Sequence, residues 1–339
     1  MDAHESRSEW DDLVLASGGH LLQTWRWGEF KSKFGWSADR ILVRGRSGHA
    51  MAQVLFRQKF GVSVGYIPRG PIVPDDDEVA VQRLVKALNK AARRRRALKV
   101  ILEPNHELPA GIATMQPLSP GPRHIQPART VKVSLRDDEG LLQQMHQKTR
   151  YNVRLAQRRG VTAVRMEPTD DAVNRFYGLL QDTSTRNTFG IHGEAYYREF
   201  LRTFGDDAVL LFAMIEDRPV AGVIAVSCGD EAIYMYGASS TQHRAHGAGF
   251  YVQFEAMRWA RDRGCTRYDL WGIPDQDPES SAVDGGGRIA GTSSDDWRGL
   301  YEFKTRFGGQ IIGYPPPLEK RYVPVLATLA DRFQQRHPD

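Results

Sequence analysis

The sequence predicts an α+β fold made of two similar halves, and three observations predict it. The order strand-strand-strand-helix-strand occurs twice along the chain. In both halves the helix carries apolar residues at helical spacing, while the strands are short apolar runs bounded by turn residues. At 339 residues the chain is long for one core and comfortable for two domains of ~150 residues each.

In the first half, RILVRG and AMAQVLFRQ form a strand pair and SVGYIPRGP a third strand. A helix over 78–95 follows, with Val79, Val81, Leu84, Val85 and Leu88 at helical spacing, then the strand LKVILEPN. In the second half, AVLLFAMIE and PVAGVIAVSCG pair across Asp217-Arg218, and EAIYMYGASS is the third strand. A helix over 247–263 and the strand TRYDLWGIP complete the set. Between the halves the spacing predicts one helix over 139–159, opened by Asp137-Asp138 and closed by Gly160. A helix over 169–185, the polar loop RNTFGIHGE and a short helix over 196–204 come next. After Gly309 the chain reads as a strand (QIIGY), a rigid run Pro315-Pro316-Pro317 and an amphipathic helix over 323–336 that returns to the first domain. The domains expected are 1–145 completed by 318–339, and 146–317. The loop 274–296 is rich in Asp, Ser and Gly, too polar for a core and longer than usual connections, so it reads as a lid or a disordered segment.

Composition excludes several classes. With 41% hydrophobic and 26% charged residues the chain is neither disordered nor fibrous. No apolar run approaches the ~20 residues of a membrane helix. The acidic, polar start MDAHESRSEWDD is unlike a signal peptide, so a cytoplasmic location is expected. Cys228 and Cys265 lack metal-ligand spacing and read as buried thiols. No metal site and no hydrolase triad can be assembled around His192, His243 and His246.

The net charge of +5 says less than where the cations fall. One cluster is Arg93, Arg94, Arg95 and Arg96. The other is Lys148, Arg150, Arg154, Arg158 and Arg159, in which Lys148, Tyr151, Arg154 and Arg158 share a helix face. Such clusters are either solvated helix faces or seats for a phosphate-bearing partner.

Four further features bear on chemistry. Arg244-Ala-His-Gly247-Ala-Gly249, between a strand and a helix, is either an anion-binding turn or a helix cap without a ligand. Lys304 lies in LYEFKTRF, where Leu300, Phe303 and Phe307 give it apolar support. It reads as a surface lysine or as a cation that stabilises charge on an acyl carbonyl. Glu103 and Asp269, inside strands, are structural acceptors or general bases for an amine.

QTWRWGEFKSKFGW, YIPRGPIVP, HQKTRYNVRLAQRRGV, YMYGASS, FEAMRWARDRGCTRYDLWGIPD and LYEFKTRFGG, in this order over 21–314, resemble the FemABX family of peptidoglycan bridge-forming aminoacyltransferases. The resemblance implies two tandem N-acetyltransferase (GNAT)-like domains, each a mixed, mainly antiparallel sheet flanked by helices. It implies transfer of an amino acid from aminoacyl-tRNA, as co-substrate and with no further cofactor, to an amine of a peptidoglycan precursor, lipid II or UDP-MurNAc-pentapeptide. Peripheral contact with the inner face of the membrane goes with a lipid-linked acceptor.

Carried onto this sequence, Lys304 with the Phe303 carbonyl matches the family's FK lysine, and Lys31 its precursor-phosphate lysine. Tyr197 and Tyr236 match precursor-contacting tyrosines, beside Tyr196 and Tyr234. Glu103 falls where some members carry a carboxylate proposed as base. Gly193 stands where some members have an arginine, with Arg186 and His192 as candidates to compensate. No helical-hairpin arm is present, so the resemblance is to the compact FemX type. Anion binding by Arg244, Gly247 and Gly249 would serve the tRNA 3′ end or a CoA donor, and Lys148, Arg150, Arg154 and Arg158 would bind the tRNA. Two other readings stay open: an acyl-CoA-dependent N-acyltransferase, and a non-catalytic RNA- or lipid II-binding protein.

Overall fold

Hairpins of alternating strands, each followed by a helical crossover, build two mixed sheets. The computed structural model describes residues 7–109, 111–112, 118–187, 190–240, 246–275 and 294–328. The elements are α1 (Arg7–Ala16), α2 (Trp25–Ser32), β1 (Ser37–Arg44), β2 (His49–Lys59), β3 (Val62–Pro68), α3 (Glu78–Arg94), β4 (Ala97–Glu103), β5 (Ser119–Pro120) and β6 (Arg129–Ser134). There follow α4 (Asp138–Gln144), α5 (Gln147–Arg158), β7 (Thr162–Met166), α6 (Asp170–Asn187), α7 (Glu194–Phe204), β8 (Ala208–Ile215), β9 (Arg218–Cys228) and β10 (Glu231–Ser239). The chain continues through α8 (Ala248–Asp262), β11 (Arg267–Ile273), α9 (Ser294–Thr305), β12 (Gln310–Gly313) and β13 (Leu318–Arg321).

Two compact units result, 1–126 with 314–339 and 127–313. The first holds the sheet β1-β2-β3-β4-β13-β5. Its α3 starts where the Asp77 carboxylate accepts from the Ala80 amide at 2.9 Å. The helix buries Ala80, Leu84 and Ala91 against Ala52, Val54, Ile67 and Val100 of the sheet. Trp10 and Val14 of α1 pack with Leu42 and Met51 in a separate cluster.

The second unit holds the sheet β12-β6-β11-β10-β9-β8-β7. Alternation along β8 divides its side chains, with Val209, Leu211 and Ala213 joining the core that includes Val153 of α5 and Val252 and Met257 of α8. Among the described residues each sheet has one parallel pair, β3 with β4 and β10 with β11, flanking the crossover helix.

Three expectations need correction. The unit boundary lies at 126/127 rather than 145/146, because β6 pairs with β11 and β12 of the second sheet. The single helix over 139–159 is two helices, since Met145 is extended (φ −69°, ψ 146°) and His146 caps α5. Cys265 is buried but Cys228 is only half-buried. The 324–328 segment is helical, as far as the predicted terminal helix is described. Most of the polar loop after Pro274 lies outside the described residues. No helix among the described residues is long and apolar enough to cross a membrane.

Candidate functional site

The parallel seam of the second sheet is short. β10 and β11 pair only at Glu231↔Arg267, Ala232↔Tyr268 and Ile233↔Asp269. Beyond Asp269, β11 stays with β6 while β10 stays with β9, so the halves of the sheet share no further ladder bonds among the described residues. Both strands are irregular at this place: β11 shifts register between Asp269 and Gly272, and β10 between Tyr234 and Tyr236. A bulge of this kind bends a strand and re-aims its groups. In β11 it puts Trp271 in the left-handed region at φ 60°.

Lys304 reaches this irregularity from the last turn of α9. Its Nζ donates to the Gly272 carbonyl at 2.8 Å and lies 5.4 Å from the centre of the Tyr234 ring. Only 6% of the residue is exposed. Burial pulls its pKa down to about 7, opposed by the charge of Asp269. The stem is fixed as the sequence predicts: Phe303 packs 5.0 Å from Phe250 of α8 and 5.4 Å from Phe307. One hydrogen bond to a carbonyl leaves two N–H groups of the ammonium to meet an oxyanion.

The bulge in β10 separates two tyrosines that a regular strand would project to the same side. Tyr234 packs on the α8 side, beside Lys304. Tyr236 points to α7, 5.0 Å from Tyr197, 6.3 Å from Tyr196 and 5.5 Å from Phe200. His192 completes this cluster, stacked on Tyr196 at 3.8 Å and 20° and donating its amide to the Tyr197 hydroxyl at 3.1 Å. Burial raises the phenol pKa of Tyr196 and of Tyr197 to about 12, so both are hydrogen-bonding neutral groups. The structure thus joins Tyr197 and Tyr236 as the sequence pairs them and adds Tyr196. Gly193 caps α7 without a side-chain bond. Arg186 sits in the last turn of α6, and its side chain lies outside the description.

Of the glycine-rich turn, Arg244 lies outside the described residues. Gly247 adopts φ +72°, and a Cβ there would stand 2.4 Å from the Asn152 carbonyl oxygen. Its glycine is explained by the close approach of α5. Gly249 has open space around it, and among the described residues the N-cap Gly247 makes no side-chain bond at the start of α8, the kind of helix start that can receive an anion.

On α5, Thr149, Val153 and Ala156 face the core while Lys148, Tyr151, Arg154 and Arg158 are exposed, Tyr151 at 56%. The Arg158 guanidinium lies 5.8 Å from the Tyr151 ring. Among the described residues Lys148, Arg154 and Arg158 have no acidic partner. Arg150 differs: its Nη1 donates to the carbonyls of Leu142, Gln143 and Met145 at 3.2, 3.3 and 3.3 Å, capping α4. That nitrogen is engaged within the fold. The other basic run is likewise partly spent, since Arg94 and Arg95 both bind Asp39.

In the first unit, Lys31 projects from α2. That helix is held by a pair of buried amides: Gln23 donates to the Pro68 carbonyl at 2.7 Å and Gln53 to the Thr24 carbonyl at 2.7 Å. Gly28 is required there, because a Cβ would sit 2.3 Å from the Gln53 side-chain oxygen. Burial, reinforced by Arg57, lowers the Lys31 pKa to about 8, and its Nζ lies 5.8 Å from the Trp27 ring centre. Glu103 is wholly engaged. Its carboxylate accepts from the Ile125 amide at 2.7 Å, from the Gln126 amide at 3.1 Å and from the Tyr66 hydroxyl, with His124 at 3.5 Å. This is the geometry of a structural acceptor rather than of a free base.

Sequence reasoning passed over Thr130, Gln253 and the Gly272 carbonyl. Gln253 accepts from Tyr268 at 3.0 Å. No motif marks them; only the polar residue Gln253 on the apolar face of α8 was a visible signal. Among the described residues no group of His, Cys, Asp and Glu is arranged to hold a metal ion.

Comparison with known proteins follows the same division. Residues 6–118 match the FemAB family and residues 143–278 an acetyltransferase (GNAT) domain. The lipid II:glycine glycyltransferase of Staphylococcus haemolyticus (strain JCSC1435) is 23% identical over 385 residues, covering 88% of this chain and 91% of that one. The protein of the same name from Staphylococcus aureus (strain MRSA252) is 24% identical over 389 residues, covering 88% and 92%. Both alignments are longer than this chain, so those relatives carry insertions that it lacks. A crystal structure of FemX superposes with a TM-score of 0.82 at 22% identity, covering 97% of this chain and 99% of that one. A tandem GNAT protein from the clavulanic acid biosynthesis pathway gives 0.55 at 12% identity, covering 94% and 96%. The FemAB and GNAT matches thus lie in tandem, the relatives align over most of both lengths, and the fold is that of FemX.

Proposed function

We propose that this protein is an aminoacyltransferase that moves an amino acid from aminoacyl-tRNA to an amine of the peptidoglycan precursor stem peptide, with lipid II as the acceptor. The observation that carries the reading is the buried Lys304 ammonium, held on the Gly272 carbonyl where the β10–β11 seam parts. The relatives named for lipid II support the acceptor. The exposed Lys148, Arg154 and Arg158 support a nucleic-acid donor.

The chemistry asks little beyond placement. The acceptor amine attacks the ester carbonyl, a C–N bond forms, and the C–O bond to the ribose breaks. The amine loses a proton and the departing ribose oxygen gains one. Charge that builds on the carbonyl oxygen is met by the Lys304 ammonium in surroundings where a cation counts for more than in water. The reaction therefore needs Lys304 charged, and kcat falls as pH rises through about 7. Incubation with a pool of labelled aminoacyl-tRNAs and lipid II, followed by mass measurement of the product, tests the whole reading. Lys304→Ala lowers kcat about 10²–10³-fold and changes the precursor KM far less. Equal loss in both would remove the oxyanion role.

Two observations favour a second reading. The GNAT match over 143–278 and the uncapped start of α8 also suit an acyl-CoA donor to another amine. Saturable acetyl-CoA binding, with no transfer from charged tRNA, would select it.

A further inference from the structure

We propose that Asp269 is the positioning residue of this site: its carboxylate holds the β11 bulge that turns the Gly272 carbonyl toward Lys304 and supplies the negative charge behind the lysine. The proposal rests on the reading of Lys304 given above.

Asp269 is fully buried within β11. Its Oδ1 accepts from the Trp271 amide at 2.7 Å and from the Thr130 hydroxyl. The Trp271 amide belongs to the left-handed residue at the centre of the bulge, so the carboxylate braces a backbone position that strains against its own side chain. One residue further on, the Gly272 carbonyl faces Lys304. Thr130, Asp269, Trp271, Gly272 and Lys304 thus form one connected chain of contacts.

The other carboxylate oxygen makes no hydrogen bond. Its nearest cation, Lys132 of β6, is 3.8 Å away, and Lys132 stands closer to Glu231 of β10 at 2.8 Å. Arg267 also turns to Glu231, at 3.5 Å. The phenols of Tyr234 and Tyr268 complete the titratable surroundings, and burial raises both. Lys132 is thus shared with Glu231, and Arg267 pairs with Asp230 at 3.0 Å and with Glu231, while the charge of Asp269 favours the ammonium form of the buried Lys304. A carboxylate kept only to brace a turn would be replaceable by asparagine, whose side-chain oxygen accepts the same bonds.

That substitution is the test. Asp269→Asn keeps the brace and removes the charge. In single turnovers with the labelled aminoacyl-tRNA pool and lipid II, kcat drops at least tenfold while KM for lipid II stays within twofold. The alkaline limb of kcat moves to lower pH by half a unit or more. Wild-type kcat with an unmoved limb overturns the proposal. Placed on Lys304→Ala, Asp269→Asn adds no further loss, whereas an additive loss shows that Asp269 acts by another route and also overturns it. Should Asp269→Asn not fold, Thr130→Val loosens the same carboxylate: kcat falls at least threefold with the limb in place, and an unchanged kcat counts against the idea. Full activity of Lys304→Ala would instead sink the functional reading itself, which keeps the two failures apart.

Discussion

The two parallel seams of this molecule come from the same element order and end differently. In the first unit, β3 and β4 pair from Ser63↔Ala97 to Pro68↔Glu103, through to their ends. In the second, β10 and β11 part after three pairs. Each seam carries a buried strand carboxylate that accepts backbone amides, yet the two do opposite things. Glu103 gathers the incoming 125–126 segment and the Tyr66 hydroxyl and seals its strand end. Asp269 folds onto the amide of its own strand two residues on and sustains the departure from the ladder. A buried acid in a strand is therefore a poor guide to catalysis until its partners are known.

The contrast can be broken most forcefully at the sealed seam. Glu103→Ala leaves two amides and a phenol without an acceptor and costs about 3 kcal/mol in denaturant unfolding. Glu103→Gln keeps much of that stability and leaves the pH dependence of turnover where it was. A shifted pH profile in that variant would restore Glu103 as a base. At the parted seam the sign reverses. Lys304 has a folded pKa of about 7 against an ordinary 10.5, so the unfolded chain binds more protons between those values. Native stability then rises with pH across that window, and the full penalty is present below about 7. Lys304→Met relieves it, by about 1–2 kcal/mol at pH 6 and by less at pH 9. A gain that does not change with pH would mean the lysine is not depressed by burial. The smallest effect lies away from both seams, on α5. Reversing Lys148, Arg154 and Arg158 flattens the log–log salt dependence of tRNA binding by about 2, while Arg150→Ala destabilises the fold and leaves that slope alone. The same slope change in both variants would erase the distinction drawn between them.

Much of this was legible in the chain. Repeated element order, the helical spacing of 78–95 and the apolar bracing of Lys304 by Phe303 and Phe307 all follow from residue periods. The bulge in β11 was hidden because a tryptophan fills the left-handed position where a glycine would have announced it. The break at Met145 was hidden for a related reason: both residues there suit a helix, and only the capping arginine reveals the bend. The unit boundary was misplaced because β6 enters its sheet before any helix marks the change.

The offset in β10 costs a single residue, Met235, and has one result for how the protein can change over time. Alterations at Tyr236 reach the aromatic rings of α7, whereas alterations at Tyr234 reach the ammonium on the other side. A substitution at one tyrosine therefore alters its own side of the strand without touching the neighbours of the other.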